Sequence, residues 1–229
     1  MFPPKGSLIA DNVTLTYGAG DARVEALRGV SLELRPGAFI ALRGPSGSGK
    51  TSLLHCLGGL RVPTAGEVRW DGRRLGRLEL DARIGARGSA FAYLFQGGNL
   101  LPTFTAGENI AFAAYIAGRG AQVDPALTLE RLGLMAKGPA LPDELSGGEQ
   151  QRVALGRALA QGARVLLADE PTGQLDRATA ARILELIDEV RRSDPELIVV
   201  LATHDSTVAE RATHVVDILD GRLVGKERG

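Results

Sequence analysis

The run Gly44-Pro45-Ser46-Gly47-Ser48-Gly49-Lys50-Thr51 matches the phosphate-binding pattern G-x-x-x-x-G-K-[ST] at every fixed position. Its glycines let backbone N–H groups turn toward phosphate oxygens, and the helix that should follow adds positive potential at its N-terminus. In such a loop Lys50 reaches the β- and γ-phosphates of a nucleotide, and the Thr51 hydroxyl coordinates Mg²⁺. A second chemical element is Val165-Leu166-Leu167-Ala168-Asp169-Glu170, an apolar strand ending in two carboxylates. Asp169 suits the metal, directly or through water, and Glu170 suits polarising an attacking water. A third is the octet Leu145-Ser146-Gly147-Gly148-Glu149-Gln150-Gln151-Arg152, in which small residues open a helix, as an ordinary helix start or as another anion site.

Elements must bring these residues together. Val13 to Tyr17, Ser31 to Arg35 and Glu67 to Trp70 alternate apolar and polar residues, the pattern of half-exposed antiparallel strands, the last closed by an Asp71-Gly72 turn. Phe39 to Leu42, Phe91 to Phe95, Val165 to Ala168 and Leu197 to Ala202 are continuous apolar runs, as in a parallel sheet covered on both faces. Each of these four hands over to a polar or glycine-rich residue: Gly44, Gln96, Asp169-Glu170 and His204. Ligands of open α/β sheets bind outside the carboxyl ends of the strands, so the four are expected to meet in one crevice. Helices are expected over Lys50 to Leu60 and Ala178 to Arg192, the second capped by Asp176. The stretch from about Asn99 to Ala160 reads as mostly helical, and a hairpin at Asp220-Gly221 closes the chain.

In this order the motifs resemble the ATP-binding cassette (ABC) ATPases: Tyr17, the phosphate loop, Gln96, the octet, the Asp169-Glu170 strand, the loop Gly173-Gln174-Leu175-Asp176, and His204. The resemblance covers residues 7 to 225. It implies an α/β P-loop NTPase fold with a RecA-like parallel core sheet, an antiparallel β subdomain and an inserted α-helical subdomain. The expected organisation is a single ABC ATPase domain over 1–229, with its core at about 7–97 and 158–229 and the helical subdomain at about 98–157. The resemblance implies that ATP and Mg²⁺ are bound and ATP is hydrolysed. Gly44, Ser46, Gly47, Ser48, Gly49, Lys50, Thr51 and Ser52 would line the phosphates. Tyr17 would stack on adenine, a core tyrosine at a strand end being the alternative reading. Thr51, Gln96 and Asp169 would serve the metal, and Gln96 would link it to the helical subdomain. Catalysis would fall to Glu170, His204, Gln96 and Lys50, with His204 on the γ-phosphate. Ser146, Gly147 and Gly148 would meet ATP held by a second subunit, and Asp176 would lie at that interface.

The implied partners are a second copy or a homologous ATPase subunit, in an ATP-sandwich dimer, and an integral membrane permease. Asn99-Leu100-Leu101-Pro102-Thr103-Phe104-Thr105, followed by Glu108-Asn109, is similar to the macrolide-export, lipoprotein-release and cell-division group. So are Gly58-Gly59-Leu60 and Pro63-Thr64-Ala65-Gly66. Leu100 to Phe104 could receive a short helix of the permease or pack within the helical subdomain. Three departures stand out: Gln174 where asparagine is frequent, Gly156 where alanine is, and Gly97-Gly98, which should loosen the loop after Gln96.

Composition sets outer limits. The 229 residues are 44% hydrophobic and 24% charged, with 27 basic and 27 acidic side chains and no net charge. Nucleic-acid binders carry a basic excess because phosphate neutralisation dominates their affinity, so no nucleic-acid partner is expected. The single cysteine, Cys56, suits a reducing compartment and reads as a buried apolar group. Met1 to Gly6 lack a leader pattern, and no apolar run nears the roughly 18 residues of a membrane span. The expected place is bacterial and cytoplasmic, held at the inner membrane face by a membrane partner. A motor of this kind could instead regulate an envelope or division machine without transport. His55, His214 and Trp70 are given no chemical role.

Overall fold

The computed structural model describes residues 6–77 and 90–224, and the chain divides into two compact units. The leader reading at Met1–Lys5, and the parts of the expected domain at 78–89 and 225–229, lie outside the described residues.

The first unit is Met1–Arg87 with Glu196–Gly229. Its N-terminal sheet has the order β2-β1-β4-β5, with β1 at Leu8–Tyr17, β2 at Val24–Leu34, β4 at Ala65–Trp70 and β5 at Arg73–Arg74. All three pairings are antiparallel. Leu8, Ala10, Val13 and Leu15 of β1 are buried while Asp11 and Asn12 are exposed, so the alternation slips by one residue. The slip is a bulge at Asn12, whose φ is +49°, and the register to both neighbours shifts there. Two glycines accommodate it. A Cβ on Gly66 would overlap the Asn12 carbonyl, and one on Gly29 would lie 2.8 Å from Asn12 Oδ1.

In the same unit β3 (Phe39–Arg43) pairs in parallel with β8 (Ile198–Thr203) and with β9 (His214–Leu219), and β10 (Arg222–Val224) returns antiparallel to β9. Every residue of β8 is buried, as expected for a strand covered on both faces. Helix α1 (Lys50–Leu57) packs on β8 and on the N-terminal sheet through Leu53, Leu54 and Leu57, each contributing about 1.5–3 kcal/mol by burial. It stops at Leu57 rather than Leu60, because Gly58 and Gly59 follow and Gly59 takes φ +69°. Cys56 on α1 is buried, and that burial pushes its thiol up to about 12. On β3, Arg43 grips Asp217 of β9 through two hydrogen bonds of 2.7 and 2.9 Å.

The second unit is Gly88–Pro195. Its parallel pair is β6 (Phe91–Leu94) with β7 (Val165–Asp169). Between them in sequence come α2 (Ala106–Ile116), α3 (Pro125–Arg131) and α4 (Gly147–Gln161), and no strand interrupts Asn99 to Ala160. Helix α5 (Arg177–Ser193) follows β7. Helix α4 packs on α2, α3, α5 and β6. Gly156 explains how closely: a Cβ there would lie 2.7 Å from Leu132 Cδ1 and 3.0 Å from Ile110 Cδ1, both buried side chains. The departure at Gly156 is therefore a packing choice. Among the described residues no helix is long and apolar enough to cross a membrane.

Candidate nucleotide site

In the first unit, β3 ends at Arg43 and the phosphate loop begins at Gly44. Gly47 and Gly49 take φ of +79° and +109°, where a side chain would be strained. A Cβ at Gly44 would overlap the Ile218 carbonyl, and one at Gly49 would come within 2.6 Å of Ala26 O. The loop is thus a cradle that only glycine can form at these positions. Ser46 and Gly47 are exposed, whereas Ser48 and Lys50 are buried. Lys50 Nζ donates to the carbonyls of Gly44 and Pro45 at 2.8 and 3.1 Å, which holds the ammonium over the loop. Ser48 Oγ is buried with no hydrogen-bond partner. A phosphate oxygen would satisfy it, so the cradle fits a polyphosphate.

Tyr17 ends β1, and its hydroxyl lies 3.3 Å from Ser52 Oγ on the first turn of α1. The guanidinium of Arg61 stands 5.8 Å from the Tyr17 ring centre. Sequence reasoning missed Arg61, since nothing in its local pattern marks it. His204 follows β8 and is exposed. The next residue, Asp205, caps α6 (Ser206–Ala209), and the Thr207 hydroxyl, then its N–H, hold that carboxyl below its ordinary range. This fixes the turn that carries His204.

In the second unit, Asp169 ends β7 and Glu170 follows it, both half-buried. Glu170 has φ +46°, a left-handed backbone uncommon outside glycine and costing about 1–3 kcal/mol. Such strain gathers at functional positions. Gly173 donates its N–H to Glu170 O at 3.1 Å, and a Cβ on Gly173 would lie 3.5 Å from Glu170 Cβ and 3.7 Å from Gln96 Nε2. Gln96, Glu170 and the 173–176 loop therefore meet around one glycine. Asp176 accepts from the N–H groups of Ala178 and Thr179 and from the Thr179 hydroxyl at 2.6 Å. That hydroxyl is the main cause that lowers its pKa.

The octet opens α4 as a reciprocal cap: Ser146 Oγ accepts from Glu149 N–H, and the Glu149 carboxylate accepts from Ser146 N–H. The Ser146 N–H leads the causes that hold the Glu149 carboxyl below its usual range. Gly148 is buried, and a Cβ there would collide with Thr179 Cγ2. Thr179, fixed by Asp176, thus touches Gly148 from the start of α5. Sequence reasoning missed it, although a threonine three residues after a capping aspartate is a legible hint.

Of the side chains expected to serve a metal, Thr51 in the first unit offers a hydroxyl, and Asp169 and Gln96 in the second offer a carboxylate and an amide oxygen. Such hard oxygens suit Mg²⁺, which commonly takes one or two protein ligands together with substrate phosphates. Among the described residues no group of three or more His, Cys, Asp or Glu side chains could hold a metal ion alone.

The sequence pattern of the ABC transporter family matches residues 27–173. The chain belongs to the ABC transporter family. Its cassette is 41% identical over 217 residues to the pyoverdine export ATP-binding/permease protein PvdT of Pseudomonas fluorescens, covering 93% of this chain and 33% of that protein. It is 44% identical over 212 residues to the macrolide export ATP-binding/permease protein MacB of Nitrosomonas europaea, covering 91% and 32%. The chain thus spans about a third of the length of the curated relatives it matches. Among solved structures, the ATP-binding cassette MJ0796 in a dimeric post-hydrolysis state bound to ADP and Pi aligns with a TM-score of 0.88 and 35% identity, over 96% of this chain and 97% of that one. A dimeric structure described as a bacterial ABC transporter cassette, also MJ0796, aligns with the same TM-score at 36% identity. The fold is that of the ABC ATPase cassettes: a phosphate-loop α/β fold with parallel and antiparallel sheets.

Proposed function

We propose that this cassette binds Mg-ATP, dimerises around two nucleotides, and couples their hydrolysis to a membrane permease of exporter type. The observation that carries the reading is the near end-to-end likeness to a cassette that is dimeric and bound to ADP and Pi. The export names of the curated relatives support the exporter assignment.

The proposed roles follow from the residues. The amides of Gly44 to Gly49 and the Lys50 ammonium bind the phosphates, Ser48, Ser52 and Thr51 complete the cradle, and Tyr17 takes the adenine face. Thr51, Asp169 and Gln96 would hold Mg²⁺, which supplies neutralisation of the phosphate charge when bound. Glu170 accepts a proton from the attacking water, and His204 donates a hydrogen bond to the γ-phosphate. Ser146, Gly147 and Gly148 present the N-terminus of α4 to nucleotide held by the other subunit, with Asp176 beside that seam. We further propose the helical subdomain at about 98–157, and attachment to a membrane through the permease.

The test is Glu170→Gln. Removing the base should lower kcat by about 10²–10⁴-fold while ATP still binds. The variant should then elute as a dimer from size-exclusion chromatography in Mg-ATP and as a monomer in its absence. A Glu170→Gln protein that turns over at the parent rate and stays monomeric would overturn the reading.

A further inference from the structure

Three contacts tie the segment around Gln96 to helix α4. Gln151 Nε2 donates to Phe95 O at 3.1 Å. The Arg157 guanidinium donates to Asn99 O at 2.8 Å. Gly98 lies so close to α4 that a Cβ would stand 3.0 Å from Gln150 O. The two accepting carbonyls flank Gln96, one residue before it and three after.

The segment has little stiffness of its own. Gly97, Gly98 and Asn99 take φ of +82°, +75° and +48°, and its internal hydrogen bonds are those of one turn, Gly98 N–H to Phe95 O and Asn99 N–H to Gly97 O. Consecutive left-handed residues cannot continue a helix or a ladder, so the shape depends on whatever holds the ends. Gln151 and Arg157 do that holding. Gln151 is 2% exposed, and burial pulls the Arg157 guanidinium below its ordinary pKa, so each needs its carbonyl partner. Both stand on the 15-residue helix whose first residues follow Ser146.

We infer that Gln151 and Arg157 are positioning residues that fix Gln96 against α4, and that ATP turnover depends on them through Gln96. The inference rests on the role proposed above for Gln96.

A double-mutant cycle on steady-state ATPase tests it, using Arg157→Gln, Gln96→Ala and the pair. Arg157→Gln should lower kcat about tenfold, within the range by which hydrogen-bonded neighbours couple, and change KM for ATP less than about twofold. In the Gln96→Ala background the same substitution should cost less than about twofold, because its route of action is already gone. Arg157→Lys, which keeps a donor, should recover part of the loss. If the two single effects multiply in the double variant, Arg157 does not act through Gln96 and the inference falls while the site reading stands. If Gln96→Ala alone leaves kcat unchanged, both fall. Should Arg157→Gln fail to fold, Gln151→Met in the same cycle, with the same two outcomes, decides the matter.

Discussion

In the proposed site, Lys50 is the residue on which nucleotide affinity would turn. Its ammonium is buried and held by two loop carbonyls, where it is ready to donate to phosphate oxygens. Lys50→Ala should weaken ATP binding about 10- to 100-fold, the worth of one charge-assisted hydrogen bond, as read by titration with a fluorescent nucleotide. Parent-like affinity would remove Lys50 from the site. At this scale the sequence was most legible where chemistry fixes residue types at fixed spacing, as in Gly44 to Thr51 and Asp169-Glu170. It was silent on Thr179 and Arg61. Their place comes from what they touch, Gly148 in one case and the Tyr17 ring in the other, and those contacts follow only from the folded path of the chain.

Among the elements, the bulge of β1 gives the sharpest test. Gly66 has φ +74° and no room for a Cβ against the Asn12 backbone. Gly66→Ala should therefore destabilise the protein by about 1–3 kcal/mol in urea unfolding, with ATP affinity of the folded fraction unchanged, since the site lies elsewhere in the chain. An unaltered midpoint would show that the strand can relax around a methyl group. Strand and helix types were readable from periodicity, and α5 with its Asp176 cap was placed to within a residue at each end. The bulge was not readable, because a one-residue slip breaks the alternation that identifies a strand, and β1 extends well before Val13. Gly97 and Gly98 were read as looseness. Both take φ values that favour glycine, and Gly98 also sits tight against α4, so they serve a shape as much as a motion.

At the scale of the whole molecule, the proposed assembly makes Ser146 a contact between subunits. Ser146 is exposed at the start of α4, so an arginine there loses the helix cap, at about 1 kcal/mol, but meets no steric bar in the folded chain and would obstruct the partner's nucleotide. Ser146→Arg added to Glu170→Gln should leave ATP binding by the single subunit within about twofold and abolish the ATP-dependent dimer, as read by light scattering. A dimer that persists would place the seam elsewhere. The family was legible because its motifs are local, whereas any transported substrate is not, since in the proposed assembly the permease would select it. Cys56 carries one more consequence. It is the only thiol in the chain, it is buried, and burial pushes it up to about 12, well above the range in which a thiol becomes a reactive thiolate. A maleimide dye or spin label directed to a cysteine engineered on the surface would meet a silent background, so motions of either unit can be followed spectroscopically without first stripping the native side chain.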